Sequence, residues 1–200
     1  MTEIKTRDRI LDATADLLRR KGYNGTGLKE IVKASEAPLG SIYHHFPGGK
    51  EELGAEAIRI AGRTYNALIQ AFFESATDPA LTTQAFFDGA AEVLRVTDYE
   101  DACPIATVAL EVASTSEPMR AASGDVFESW ITDLCADFEA LGMDPSKTVD
   151  VAIELLMLIE GAFLLCRAWK DTTPMEIAGR AAVEAVRAAL DRVSGCAGSR

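Results

Sequence analysis

Residues 27–46, GLKEIVKASEAPLGSIYHHF, leave the chain few ways to fold. Leu28, Ile31 and Val32 recur at i, i+3 and i+4, so one face of a short helix can be buried while Lys29, Glu30 and Lys33 stay in water. Pro38 then interrupts, because it disfavours helical geometry at Ala37 and suits the first turn of a new helix. A second short helix from about Leu39 to Phe46 puts Ile42 and Phe46, four apart, on its inward side. It turns Ser41, His44 and His45 elsewhere and leaves Tyr43 near the boundary. Two short helices joined by so tight a turn form a helix-turn-helix. On this stretch alone a plainer alternative stays open, an αα-hairpin whose His and Tyr are ordinary surface residues.

The flanks fit a larger module. Residues 6–21, TRDRILDATADLLRRK, read as an amphipathic helix with Ile10, Ala13, Leu17 and Leu18 as its inner stripe, and Gly22 supplies the stop. Tyr23 then caps a small core of Leu17, Leu28, Ile31, Ile42 and Phe46, and residues 46–53, FPGGKEEL, open another helix. Lys5, Arg7 and Arg9 form either a basic arm or a solvated helix start.

These pieces together resemble the N-terminal DNA-binding domain of TetR-family transcriptional regulators. The resemblance rests on Ile10-Leu11-Asp12-Ala13-Thr14, Leu17-Leu18, Gly22-Tyr23, Thr26, Gly40-Ser41-Ile42-Tyr43-His44-His45-Phe46 and Lys50. Further on, residues 103–111, CPIATVALE, and Gly25-Thr26-Gly27-Leu28 are similar to the LmrA/YxaF-like subgroup. The resemblance implies that the helix from Leu39 enters the major groove, with Leu39, Gly40, Ser41, Tyr43, His44 and His45 at the DNA. Thr26, Tyr43 and Lys50 are implied at phosphates. Backbone N–H groups of Gly27 and Leu28 at a helix start are natural phosphate ligands too. Two positions depart from the family's common pattern: Glu36 stands where glycine is usual, and Leu39 where many members carry a basic residue. The recognition helix therefore holds no Lys or Arg, which excludes bidentate arginine readout of guanine.

Charge divides the chain. Residues 1–63 hold 11 Lys and Arg against 9 Asp and Glu, whereas residues 64–200 hold 9 against 22, within a net charge of −11. One end can face a duplex while the remainder avoids phosphate. The opening residues are polar, with no apolar segment of a signal peptide behind them, and the most apolar run, 151–166, is interrupted by Glu154 and Glu160. No membrane association is expected. Cys103, Cys135, Cys166 and Cys196 are scattered and read as reduced packing residues of a cytoplasmic protein. Both histidines lie in the helix-turn-helix, leaving none for a zinc site or hydrolytic triad elsewhere. No enzyme activity, metal or cofactor is expected.

From Leu53 onward the pattern is helical, with breaks predicting helices near 50–75, 79–95, 103–115, 118–141, 145–170 and 174–193 and a loose tail at 194–200. The expected fold is all-α: a three-helix helix-turn-helix domain over 1–49 and a larger helical ligand-binding and dimerisation domain over 50–200. The helix near 50–75 would join them as a rigid lever. Ligand candidates are Phe72, Phe86, Cys103, Glu111, Phe127, Trp130, Met157, Glu160 and Phe163, against the alternative that these aromatics fill a core. Glu111 and Glu160 could orient a ligand or pair with Arg120 or Arg167, and residues 99–104 could move or rim a cavity. Small and apolar stripes on 145–170 and on 174–193 (Ile177, Ala178, Ala181, Ala182, Ala185, Val186, Ala189, Leu190 and Val193) suggest a homodimer through a four-helix interface.

The expected function is a repressor of a palindromic operator, released by a small hydrophobic or aromatic effector. Antibiotics or planar aromatics, and efflux or detoxification genes, are what the subgroup resemblance implies. A ligand-independent regulator or activator shares the same DNA-binding module. An enzyme on an all-α scaffold and a dimeric interaction module are the remaining alternatives.

Overall fold

The computed structural model describes residues 5–191 except 75 and 102, and among these every regular element is an α-helix. The expected tail, Val193 and Cys196 lie outside the described residues. The helices are α1 (Thr6–Lys21), α2 (Leu28–Ser35), α3 (Leu39–His45), α4 (Gly49–Phe73), α5 (Pro79–Val96), α6 (Pro104–Val112), α7 (Glu117–Ala140), α8 (Pro145–Trp169) and α9 (Thr173–Asp191). Their starts follow from local chemistry. Asp78 and Asp144 accept hydrogen bonds from the first N–H groups of α5 and α8, Cys103 Sγ does so for α6, and proline follows each in the first turn.

The chain divides into two compact units. The first comprises residues 1–65 and 103–127, the second 66–102 and 128–200. The division expected at residue 50 is thus not where the units part, because α6 and the first half of α7 pack with α1–α4. Gly54 and Gly62 of α4 make that packing possible. A Cβ on Gly54 would lie 2.9 Å from Met119 Cε, and one on Gly62 would lie 2.5 Å from Val126 Cγ2.

In the first unit Ile10, Leu11, Ile31, Ile42, Phe46 and Leu53 are fully buried. The inner stripe of α1 is Ile10, Leu11, Thr14 and Leu18 rather than the expected one: Ala13 and Leu17 are only half-buried. Thr14 can enter the core because its hydroxyl donates to the Ile10 carbonyl at 2.7 Å. In the second unit α5 and α8 pack on α9 around Phe87, Leu94, Phe138, Cys166, Met175, Ala182 and Val186. The Phe73 and Phe138 rings meet edge to face at 5.7 Å. Along the contact of α4 and α7, Asn66 Nδ2 donates to Asp133 at 2.6 Å and Gln70 Nε2 to Asp137 at 2.8 Å. Asn66 Oδ1 is buried there without a partner.

Candidate nucleic-acid interface

Helix α3 follows α2 after a turn whose bend is made at Glu36, with φ 52° and ψ 32°. This is the left-handed conformation in which glycine is favoured and a side chain is strained. Ala37 is buried beside it and Pro38 caps α3 in extended geometry. Ile42 and Phe46 anchor α3 in the core, and the rest of its surface faces outward: Leu39 is 48 % and Tyr43 51 % exposed, Gly40 and His44 are exposed, and Ser41 and His45 half-buried. The two imidazoles stand 4.9 Å apart. Exposed large apolar side chains such as Leu39 and Tyr43 on so small a head are what a groove-contacting helix presents.

The residues implied at phosphates are less free. Thr26 is 1 % exposed, its hydroxyl donating to the Gly22 carbonyl at 2.7 Å. Gly27 N–H donates to Glu30 Oε2 at 3.2 Å, the half of a capping box that a glycine cap can make, and Leu28 is half-buried. Lys50 Nζ donates to the Tyr23 carbonyl at 2.7 Å and lies 4.0 Å above the Tyr23 ring. Burial pushes its ammonium below the ordinary lysine value, and the Glu111 carboxylate opposes that. Arg7 and Arg9 do not form an arm. Starting α1 at Thr6 turns them inward, where Arg7 pairs with Glu56 and lies 5.3 Å over the Phe46 ring, and Arg9 Nε donates to the Ser35 carbonyl at 3.3 Å. Lys29 and Lys33 on α2 stay exposed.

The ligand candidates are divided between the two units. Cys103, Glu111 and Phe127 belong to the first unit; Phe72, Phe86, Trp130, Met157, Glu160 and Phe163 belong to the second. Cys103 is buried as the α6 cap, and Phe127 is half-buried. Glu111 Oε2 accepts from the Asn24 N–H at 2.7 Å, while Arg120 is bidentate on Glu117 and Arg167 Nε donates to the Tyr99 carbonyl. Phe72 is 38 % exposed and meets Phe86 edge to face at 5.6 Å, Trp130 is buried, and Glu160 and Phe163 are half-buried. Met157 is 63 % exposed, because Leu155 and Ile159 take the inward side of α8. The loop after α5 is anchored rather than loose at Tyr99, whose N–H closes on the Leu94 carbonyl at 2.7 Å.

A groove of about 510 Å³ runs between α8 and α9, lined by Lys147, Asp150, Val151, Glu154, Ala181, Glu184, Ala185, Ala188 and Ala189. None of the nine ligand candidates lines it. Ala181, Ala185 and Ala189 of the expected dimer stripe do, whereas Ala178, Ala182 and Val186 are buried against the unit's own core. On α8, Val149, Ile153, Met157, Leu164, Leu165 and Trp169 are each at least 39 % exposed.

A short helix braced by two others, offering a polar and aromatic face without Lys or Arg beside exposed lysines, defines a helix-turn-helix DNA-binding protein. Comparison with known proteins gives the same class more closely. Residues 10–57 match the bacterial regulatory proteins of the tetR family, and residues 79–181 match the C-terminal domain of LmrA/YxaF-like transcriptional regulators. The HTH-type transcriptional regulator LmrA of Bacillus subtilis (strain 168) is 34 % identical over 170 residues, covering 85 % of this chain and 90 % of the relative. YxaF of the same organism, also an HTH-type transcriptional regulator, is 35 % identical over 170 residues, with 85 % and 89 % covered. A TetR transcriptional regulator from Legionella pneumophila superposes with a TM-score of 0.77 at 26 % identity over 92 % of this chain and 98 % of that one. The chain belongs to the TetR family of DNA-binding transcriptional regulators, of the LmrA/YxaF-like kind. This is a family of regulators, not of enzymes.

Proposed function

We propose that the protein is a one-component repressor whose homodimer binds a near-palindromic operator in the cytoplasm and is released by a small hydrophobic or aromatic effector. The outward face of α3 is the observation that carries the reading: Leu39, Gly40, Ser41, Tyr43 and His44 are presented by a helix whose Ile42 and Phe46 are locked in a core. Lacking Lys and Arg, α3 reads base edges through hydroxyl, imidazole and apolar contacts, and lysines on α2 supply attraction to phosphate. The exposed apolar row on α8 and the alanines on α9 support pairing of two copies, which fixes the separation of two reading heads. The effector binds in the larger helical domain, where Phe72, Phe86 and Trp130 supply aromatic surface. It shifts the population only if it binds the DNA-competent and released conformations with different affinity.

An electrophoretic mobility shift on the DNA upstream of the protein's own gene, repeated across salt and with a panel of aromatic and antibiotic compounds, tests this. The expected result is a salt-sensitive shift that one compound reverses. A shift that none reverses replaces the effector-released repressor with a ligand-independent regulator. No shift at any salt overturns the DNA-binding reading.

A further inference from the structure

Glu111 is held in a way that ordinary helix-surface glutamates are not. It projects from α6 onto the turn between α1 and α2, three consecutive residues of which are gripped from outside that turn. Its Oε2 accepts the Asn24 N–H at 2.7 Å. Its Oε1 fills the place a side chain would take on Gly22, 1.8 Å from where a Cβ would stand. Between them, the Tyr23 carbonyl is taken by Lys50 of α4, whose charge the Glu111 carboxylate faces. The turn then leads directly into Thr26, closed on the Gly22 carbonyl, and into Gly27, the cap of α2.

We propose that Glu111 is a positioning residue, a latch through which α6 sets the turn that begins the helix-turn-helix. The chain makes this a junction. Helix α6 is joined through residues 97–103 to α5, of the second unit, and on its other side through α7, whose later half also belongs to the second unit. A rearrangement of the second unit therefore arrives at α6 along the chain, and the carboxylate hands it to the turn. This rests on the reading of the protein as an effector-released regulator and names the contact that would carry the release.

Because coupling between two sites is reciprocal, the latch can be tested with DNA alone. A duplex recovered from a random pool by binding to the wild-type protein is added, and hydrogen–deuterium exchange is followed over 79–96 and 145–169, with duplex affinity and melting temperature measured alongside. In the wild type the duplex changes protection in these segments. In Glu111→Ala that change falls about fivefold or more while duplex affinity stays within about threefold. Glu111→Gln keeps an oxygen acceptor for the Asn24 N–H and restores most of the change. Should Glu111→Ala not fold, a Glu111→Gln that keeps the change supports the latch and one that loses it while still binding the duplex overturns it. Undiminished protection changes in Glu111→Ala, or no change in the wild type, overturn it as well. Melting temperature falling with no loss of propagation would leave Glu111 as a structural prop, also overturning it. A wild-type protein that selects no duplex refutes the regulator reading itself and takes the latch with it.

Discussion

At Glu36 the backbone takes φ 52° on an exposed residue, where a glycine would bear no strain. A side chain in this region costs roughly 1–2 kcal/mol. Glu36→Gly is therefore expected to stabilise the protein by about 1 kcal/mol, raising the melting temperature by roughly 2–4 °C in a calorimetric or circular-dichroism melt. One negative charge also leaves the head. Lys50 is a poor probe of DNA contact, because removing it takes one of the two donors from the Tyr23 carbonyl, leaving the Thr26 N–H at 3.2 Å, and exposes the ring beneath. Tyr43 is the better one. At 51 % exposed it contributes little to the core, so Tyr43→Ala should leave the melting temperature within about 2 °C while weakening the operator shift by about tenfold or more.

Between elements, the amide–carboxylate contacts of α4 and α7 carry a pH signature. Burial pushes the Asp137 carboxyl above its usual value, the Gln70 hydrogen bond opposes this, and the Asp133 charge adds to the rise. A raised carboxyl contributes stability that is present below its unfolded value and lost as pH rises through the folded one. Asp137→Asn should thus be more stable than wild type at pH 7, by less than about 1 kcal/mol because the site keeps much of its water. Melts across pH should show that advantage shrinking below the ordinary carboxylate range; an advantage that grows on acidification would contradict it. Elements were also what the sequence displayed best. Asp78-Pro79, Asp144-Pro145 and Pro38 announce helix starts through local hydrogen bonds and fixed φ, so those boundaries could be read within a residue or two. The face of α1 could not: burying Thr14 depends on a back-bond to its own helix, which turns the stripe away from Ala13 and Leu17. Nor could Glu111, whose partner is a main-chain N–H 87 residues away and leaves no mark in side-chain pattern. The anchors of α3 were legible, because Ile42 and Phe46 four apart fix the inward side of so short a helix; its outward set was less so, since Tyr43, expected near the boundary, is 51 % exposed while Ser41 and His45 are half-buried.

For the molecule as a whole, the apolar row on α8 is the feature that a lone chain leaves without cover. Met157→Lys, at a side chain 63 % exposed, should leave helicity unchanged by circular dichroism, yet convert the dimer expected by light scattering to monomer at micromolar concentration. Operator affinity should fall with it, since two weak half-site contacts no longer add. An intact dimer would move the interface to another face. The split membership of α4 and α7 reaches further, into how such a protein can be cut and recombined. Residues 1–65 carry the whole helix-turn-helix but only half of what closes around it, since Met119 and Val126 rest on Gly54 and Gly62 from the far side of an intervening 37-residue excursion through the second unit. The reading head is thus not a cassette at the end of the chain. A chimera that exchanges DNA specificity between relatives by a single splice after α4 would pair one parent's glycine seats with the other parent's α7, whereas a graft carrying residues 103–127 along keeps each seat with its own occupant.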